Sequence, residues 1–207
     1  AQSKVDQQAP QLNYFGTPNF EKAISDYDKF VGLLESCDIE IHFLPENDTT
    51  SLDSVYTHDP CVISNDGVIL CTMGKEARVP ESKAVEAYFE SIGVPILGRI
   101  ESPGTIEGGD MVWIDERTVA VGEGYRSNAE GIRQFKEILG DHMNDVISVP
   151  LPHWTGPADC LHLMSNISPI DHGLYLVYSR LLPVPFREYL IERGIKLIEV
   201  PDDEYNS

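Results

Sequence analysis

Residues 106–151 read IEGGDMVWIDERTVAVGEGYRSNAEGIRQFKEILGDHMNDVISVPL, and their pattern says most about the fold class. Short apolar runs separated by turn residues indicate strands. Apolar residues at helical spacing before a glycine indicate a helix that ends there. The pattern therefore predicts strand, turn, strand, helix and strand in that order. The predicted bounds are 106–114, 118–124, 128–139 and 146–151, with Gly140 following the helix.

The same order of elements recurs on both sides of this stretch, around 54–100 and 160–201. In the first of these units, Asp66-Gly67 lies between two apolar runs, which is a hairpin signal. A repeat of roughly 45 to 50 residues lies in the range typical of arrays and propellers. An ordinary mixed α/β sheet fits the same alternation of strands and helices. Both interpretations place the chain in the α/β class.

The outer parts of the chain are predicted from simpler signals. A stripe of apolar residues predicts a helix from Phe20 to Cys37, and an extended segment follows at 39–45. The outer repeats are predicted to open with strands at 54–64 and 160–168. The length of 207 residues suits one large domain or two small ones.

The composition excludes some classes of partner. A formal net charge of −19 argues against nucleic acid and anionic membranes, because phosphate binding needs clusters of Lys and Arg. The same charge suits a small cationic substrate, although an acid-rich soluble protein would have it too. No apolar run approaches the roughly 20 residues of a membrane helix, and no secretory signal is recognisable.

The four cysteines follow no zinc-binding spacing. Each lies in an apolar segment, where a free thiol behaves as a small hydrophobe, and this predicts a reducing, cytoplasmic location. No glycine-rich phosphate loop is present and the histidines show no zinc-binding spacing, so we expect neither a nucleotide cofactor nor a metal. The cysteines are Cys37, Cys61, Cys71 and Cys160.

Two acids bracket two glycines in Glu107-Gly108-Gly109-Asp110, at the start of an apolar strand. Glycines let the backbone bend and let a ligand approach closely. The acids could bind a cation or transfer a proton. A polar turn with two solvated acids has the same sequence, so this motif alone leaves both interpretations open.

Asp53 and Asp59 lie six residues apart on a segment predicted as extended, and this even spacing places them on one face. Two acids on one face of an apolar strand are costly unless they are paired or bound to a cation. They could instead flank the strand in loops. Arg126, at a predicted helix start, could bind a carboxylate bidentately, or it could be an ordinary surface arginine.

Cys160 and His162 alternate with leucines and suggest a nucleophile and its base. Side chains two apart on one strand run parallel, however, and productive Cys–His pairs usually come from separate segments. A packing role for Cys160 is therefore favoured. A histidine between leucines is also common in protein cores.

Together and in this order, the motifs resemble the dimethylargininase and arginine deiminase group of the amidinotransferase superfamily. The resemblance runs from about Leu52 to the end of the chain. It implies a five-bladed α/β propeller, the pentein fold, of repeated ββαβ units around a central active site. The motifs are DSVYTHDP at 53–60, GRIESPGTIEGGD at 98–110, ERTVAVGEGYRSN at 116–128, LPHWTGPADCLHLMS at 151–165 and KLIEVPDDE at 196–204.

The resemblance further implies one propeller domain over 1–207 that is incomplete at both ends. The family's nucleophilic cysteine lies near its C-terminus, on the last blade, so we expect this chain to lack that blade and the first strand. A missing blade exposes sheet edges and apolar surface. We therefore expect the chain alone to be inactive, and either poorly stable or self-associating as a homo-oligomer.

Members of this group hydrolyse the guanidinium carbon of arginine or a methylated arginine, giving citrulline and an amine or ammonia. The implied partner is a small cationic guanidine, and no cofactor is implied. His162 would be the general acid–base, and Glu107 and Asp59 would hold the planar guanidinium. Arg126 would receive the α-carboxylate. The full set implied for substrate binding is Asp53, Asp59, Arg126, Asp110 and His58, where Asp110 supports the turn that aims Glu107.

Two departures from the family pattern concern the substrate. Arginine deiminases commonly read His-x-Asp, whereas this chain has His162-Leu163-Met164, which favours the dimethylargininase side. His58 stands where the family usually has Arg or an acid. Two further functions stay open: transfer of the amidino group to an acceptor amine, and binding of a guanidinium without reaction.

Overall fold

The computed structural model describes residues 1–158 and 161–205, and two helices precede its first sheet. Helix α1 spans Gln2–Gln8 and was not foreseen from the sequence. Helix α2 spans Phe20–Glu35, begins at the N-cap Asn19, and buries none of its 16 residues. Among the described helices, none is long and apolar enough to cross a membrane.

Three sheets of identical topology follow, each with three strands. In each sheet an antiparallel hairpin is extended by a parallel third strand, and a helix connects the second strand to the third. The first contains β1 Cys61–Ser64, β2 Gly67–Leu70, α3 Glu81–Ser91 and β3 Ile96–Arg99. The second contains β4 Met111–Asp115, β5 Thr118–Glu123, α4 Ala129–Leu139 and β6 Asp145–Pro150. The third contains β7 Ile167–Asp171, β8 Leu174–Val177, α5 Val184–Glu192 and β9 Lys196–Glu199.

The predicted internal repeat of strand, strand, helix and strand is therefore confirmed. Every hairpin closes through two residues, as the pairing of Ser64 with Gly67 shows for the first. Gly67 has a φ of +149°, and a Cβ there would lie 2.4 Å from the carbonyl oxygen of Pro95. A glycine is thus required where the hairpin meets the strand that pairs beside it.

Two apolar clusters join the sheets in chain order. The first contains residues of the first sheet, the second sheet and α4, with Phe135 fully buried among them. The second contains residues of the second sheet, the third sheet and α5, with Leu190 fully buried. Helix α4 starts where the Asn128 side chain accepts hydrogen bonds from the backbone N–H groups of Gly131 and Thr105.

The sequence placed the first strand too early in all three repeats. In the middle one, where the strand was predicted from residue 106, a 3₁₀ helix, Gly108–Asp110, precedes β4, which begins at Met111. Part of the predicted strand at 54–64 is a 3₁₀ helix, Leu52–Val55, which Ser51 caps, and the strand begins only at Cys61. Within the strand predicted at 160–168, residues Leu163–Ser165 form a 3₁₀ helix, and β7 begins only at Ile167. Asp53 and Asp59 are thus not on one face of an extended strand, because side-chain caps stabilise turns there.

Candidate active site

The candidate site lies where the first strands of the three sheets begin. Asp59 precedes β1, Glu107 precedes β4, and His162 precedes β7. One side-chain atom from each of the three lies within 4.8 Å of one from the others. The repeat thus explains their meeting, because each sheet contributes the residue just ahead of its first strand.

The second strand of each hairpin runs back to the same end of its sheet. Gly74 and Lys75 follow β2, and Arg126 follows β5. A Cβ on Gly74 would lie 2.6 Å from the backbone oxygen of Arg126, so these two segments are in close contact. Together with the segments before β1, β4 and β7, they enclose the cluster of acids.

Glu107 is fully buried and lies at the centre of the site. Its Oε1 accepts hydrogen bonds from the backbone N–H of Gly74, at 2.9 Å, and of Lys75, at 3.2 Å. Its Oε2 lies 2.9 Å from Arg126 Nη1 and 2.9 Å from His162 Nε2. Burial raises the pKa of Glu107, but the hydrogen bond from His162 and the charge of Arg126 bring it down to about 2.

Asp59 is held by a second buried ion pair. Its Oδ1 accepts a hydrogen bond from the backbone N–H of Gly109 at 2.9 Å, and its Oδ2 accepts from Arg78 Nη1 at 2.6 Å. Arg78 also donates to both carboxylate oxygens of Glu81, at 3.0 and 2.8 Å. Burial opposes the charge of Arg78, yet these two acids raise its pKa. Asp59 is therefore fixed in position by hydrogen bonds to both of its carboxylate oxygens.

Asp110 links the backbone at Glu107 to the backbone next to His162. Its Oδ2 accepts from the Ser127 hydroxyl at 2.6 Å, and that hydroxyl accepts the Glu107 N–H at 3.1 Å. Its Oδ1 accepts from the N–H of Leu163 at 2.9 Å, next to His162. Burial raises the pKa of Asp110 to about 6. Asp110 thus contacts the turn at Glu107 through the Ser127 hydroxyl, which is how it could support that turn.

Asp53 lies further out and is paired with a lysine. Lys75 Nζ donates to Asp53 Oδ2 at 2.7 Å and to the backbone oxygen of Leu12 at 2.9 Å. Burial and the neighbouring Asp53 raise the pKa of Tyr14 to about 12. The segment that follows α1 is thereby joined to the acid cluster.

A cavity of about 1140 Å³ opens onto this end of the sheets. Asp59, Arg126 and His162 line it at the centre, and Trp154 lies on the loop that precedes His162. His58 is exposed and also lines the cavity. A molecule in this space would reach His162 and Arg126 before it reached the buried Glu107.

Asp59, Glu107 and His162 are the kinds of residue that bind metal ions, and their ligand atoms are close enough for one. A divalent cation would, however, lie beside Arg126 and Arg78, which already pair with the two carboxylates. Both carboxylates thus already bind guanidinium groups of the chain, which is the pairing that a planar guanidinium ligand would also make.

The described cysteines lie in other surroundings. Cys37 is exposed after α2, while Cys61 and Cys71 are buried. Burial raises the pKa of Cys61 to about 11 and that of Cys71 well above its ordinary value. Both thiols are therefore protonated and unreactive. Cys160, which was weighed as a nucleophile, lies outside the described residues.

The structure brings the sequence-predicted residues together around one cavity or directly behind it. Glu107 and Asp110 are fully buried behind that cavity, while Asp53, Asp59, Arg126, His162 and His58 line it. No sequence motif indicated Arg78, Lys75 and Tyr14, which are isolated polar residues outside the quoted glycine-rich and acidic motifs. Their importance becomes visible only through their contacts.

Relatives of this chain act on arginine derivatives. It is 28% identical over 193 residues to N(G),N(G)-dimethylarginine dimethylaminohydrolase from Pseudomonas aeruginosa, covering 93% of this chain and 70% of that protein. It is 29% identical over 143 residues to the enzyme of the same name from Streptomyces coelicolor, covering 64% of this chain and 52% of that protein. The chain thus spans only part of each relative.

Solved structures agree with these relatives. A crystal structure of a dimethylarginine dimethylaminohydrolase variant, in an adduct with S-methyl-L-thiocitrulline, has a TM-score of 0.75 at 28% identity. The match covers 92% of this chain and 70% of that one. The arginine deiminase family model matches residues 51–193, more than half of the chain, and this chain therefore belongs to the arginine deiminase family.

Proposed function

We propose that the protein hydrolyses the guanidinium carbon of arginine or an N-methylated arginine, giving citrulline and an amine or ammonia. The observation that carries the proposal is the contact of His162 Nε2 with Glu107 Oε2 at 2.9 Å, beside Asp59, at the inner end of a large cavity. Two buried acids can hold a guanidinium, and a histidine beside them can move protons at neutral pH.

In this proposal each residue has a definite role. Asp59 and Glu107 hold the guanidinium through paired N–H to oxygen contacts. His162 protonates the leaving amine and then activates the water that completes hydrolysis. Arg126, at the cavity, binds the substrate's α-carboxylate, and Asp53 lines the entrance.

The proposal includes a cysteine nucleophile and no cofactor. A thiolate attacks the guanidinium carbon, the amine leaves with a proton from His162, and water then releases citrulline and restores the thiol. The buried thiols of Cys61 and Cys71 are too weakly acidic for this step. We therefore propose that the nucleophile belongs to a part of the protein beyond residues 1–207.

The relatives support the substrate class. Two of them carry the name dimethylarginine dimethylaminohydrolase, and others are named arginine deiminase. The ligand in the related crystal structure, S-methyl-L-thiocitrulline, resembles an arginine in which sulfur replaces a guanidinium nitrogen. An arginine derivative with a methylated guanidinium is accordingly the first substrate to test.

We further propose that the whole protein is a five-bladed α/β propeller with this site on its axis. Three sheets of one topology, each placing a site residue ahead of its first strand, support this proposal. Two further units would complete the ring. A crystal structure of the complete protein with three or four units would overturn it.

The test is citrulline release by the complete open reading frame, with arginine, monomethylarginine and asymmetric dimethylarginine as parallel substrates. The 207-residue chain is the control and should release none. Turnover by the complete protein alone supports the hydrolase and the external nucleophile. Turnover by the 207-residue chain would contradict the external nucleophile and make Cys160 the candidate nucleophile.

The His162 role has its own test in the complete protein. Replacing a general acid–base typically slows a reaction by about 10²–10⁴-fold. His162→Ala should therefore reduce citrulline formation more than a hundredfold, whereas His142→Ala, at an exposed histidine of the opposite end, should leave the rate unchanged. Near-normal turnover by His162→Ala would remove this residue from the mechanism.

A second candidate is that the chain binds guanidines without reacting. It is favoured by the buried, protonated state of Cys61 and Cys71, which leaves neither thiol able to attack a guanidinium held by Glu107 and Asp59. Binding of arginine by the complete protein, with no product from any of the three substrates, would establish this candidate in place of the hydrolase.

A further inference from the structure

The carboxylate of Glu107 has no vacant position for a substrate. A carboxylate offers about four lone-pair sites. Two backbone N–H groups, those of Gly74 and Lys75, occupy Oε1, and Arg126 and His162 lie at 2.9 Å from Oε2. A guanidinium can therefore bind Glu107 only if one of these four groups moves away.

Arg126 is the group that can leave. The two backbone N–H groups are fixed by the chain, and the proposed chemistry requires His162 to stay. Arg126 lines the cavity, and its side chain is 10% exposed while that of Glu107 is 0% exposed. It is itself a guanidinium, so it occupies Glu107 with the same chemistry that a substrate would bring.

We infer that substrate binding exchanges partners: the substrate's guanidinium replaces Arg126 on Glu107, while Arg126 turns to the substrate's carboxylate. This inference rests on the proposed function. In the empty site Arg126 is the counter-ion of Glu107, and in the substrate-bound site it binds the substrate's carboxylate. The site thereby selects guanidines that also carry a carboxylate.

The selectivity follows from charge pairing. Removing one partner of a buried ion pair is strongly unfavourable, because it leaves the other charge without compensation. A zwitterionic guanidino acid supplies a cation to Glu107 and an anion to Arg126, so both stay paired. A guanidine without a carboxylate displaces Arg126 from Glu107 and leaves the Arg126 charge without an anionic partner.

The test uses calorimetry on the 207-residue chain with arginine and with methylguanidine, which lacks the carboxylate. We expect the wild-type chain to bind arginine at least about tenfold more tightly than methylguanidine. In Arg126→Ala, arginine should bind at least about tenfold more weakly and methylguanidine at least about tenfold more tightly, because Glu107 is then unoccupied. The ratio of the arginine affinity to the methylguanidine affinity should therefore fall at least about a hundredfold from wild type to Arg126→Ala.

Acetate separates exchange from simple carboxylate recognition. With wild-type chain, saturating acetate should strengthen methylguanidine binding, because it gives Arg126 a partner. In Arg126→Ala this cooperativity should vanish. The matched control is Arg133→Ala, which removes the same charge from an exposed pair with Glu130 and should change none of these affinities.

Folding of each variant is checked by its thermal unfolding, and Arg126→Lys serves if Arg126→Ala does not fold. Lysine keeps the charge without the bidentate fork, so it should weaken arginine binding and relieve the block on methylguanidine only partly. If methylguanidine binds no better to either variant while arginine binds to wild type, the exchange is overturned and the guanidinium site stands. If arginine binds to no form of the complete protein either, the proposed function fails.

Discussion

Acidic residues lie at a large cavity at both ends of the sheets, but the two sets differ in burial and in hydrogen bonding. At the site end, Asp59 is 7% exposed and Glu107 and Asp110 are 0% exposed, and each accepts at least two hydrogen bonds. At the hairpin end, exposed acids such as Glu116 and Asp141 line a cavity of about 910 Å³. We call these the site end and the hairpin end.

The difference shows where the charge of −19 has chemical consequences. A buried carboxylate must be paired, because its desolvation costs several kcal/mol. An exposed carboxylate is satisfied by water and needs no partner. Net charge alone therefore indicates the class of ligand but cannot locate the site. The site is located instead by the buried pairing of Glu107 with Arg126 and His162.

The largest effect should come from breaking that pairing. Glu107→Gln leaves Arg126 largely buried without a counter-charge, and the free energy of unfolding should fall by about 3–5 kcal/mol. Glu116→Gln, at the hairpin end, should change it by less than about 0.5 kcal/mol. Urea unfolding of both variants at neutral pH measures the contrast. Equal effects at the two ends would show that burial does not distinguish them.

The sequence predicted the parts of the fold that follow from apolar periodicity. The middle repeat illustrates this, because the helix predicted at 128–139 is α4, and the strands predicted at 118–124 and 146–151 lie within one residue of β5 and β6. The hairpin at Asp66-Gly67 is also where turn chemistry placed it. In these segments the backbone pairs locally and one face is buried, so sequence pattern and structure coincide.

The segments that build the site could not be predicted in the same way. Residues 52–60 and 161–166 are shaped by side-chain caps and by close contacts with other repeats. A Cβ on Gly108, for example, would lie 2.0 Å from the backbone oxygen of His58. Such contacts join residues about fifty positions apart, and no local pattern shows them. The motifs therefore indicated most of the candidate residues but left their roles open, and the roles came from the resemblance. Neither the motifs nor the resemblance indicated Arg78 and Lys75.

A pH experiment sharpens the comparison through Asp110. Its folded-state pKa, raised from 3.8 to about 6 by burial, means that the protonated form is favoured on folding. The stability that this group contributes is thus complete below pH 3.8 and is lost as the pH rises through about 6. Asp110→Asn removes the ionisation, so its stability relative to wild type should increase by about 3 kcal/mol between pH 4 and pH 8.

Denaturant unfolding at several pH values measures this difference, and Asp141→Asn at the hairpin end is the control. An exposed carboxylate is solvated in both folded and unfolded chains, so the control difference should be constant with pH. A constant difference for Asp110→Asn as well would show that the buried acid is ionised without cost.

The smallest effect contrasts two glycines, one at each end. A Cβ on Gly109 would lie 2.3 Å from His162 Nδ1 and 2.9 Å from Asp59 Oδ1, so Gly109→Ala pushes the His162 ring and the Asp59 carboxylate away. We expect a loss of about 2 kcal/mol in the free energy of unfolding, as is typical of overpacking. Gly173, in the hairpin turn before β8, has a φ of +67° but open space around it.

Gly173→Ala should therefore lose only about 1 kcal/mol, from backbone strain alone. The decisive readout is arginine binding, measured by calorimetry on both variants. Gly109→Ala should abolish it, because the displaced imidazole no longer lies against Glu107, whereas Gly173→Ala should bind as wild type does. If both variants bind arginine normally, the added methyl group at Gly109 does not displace His162 from Glu107. The two ends would then differ in stability alone, and the close packing around Gly109 would have no effect on ligand binding.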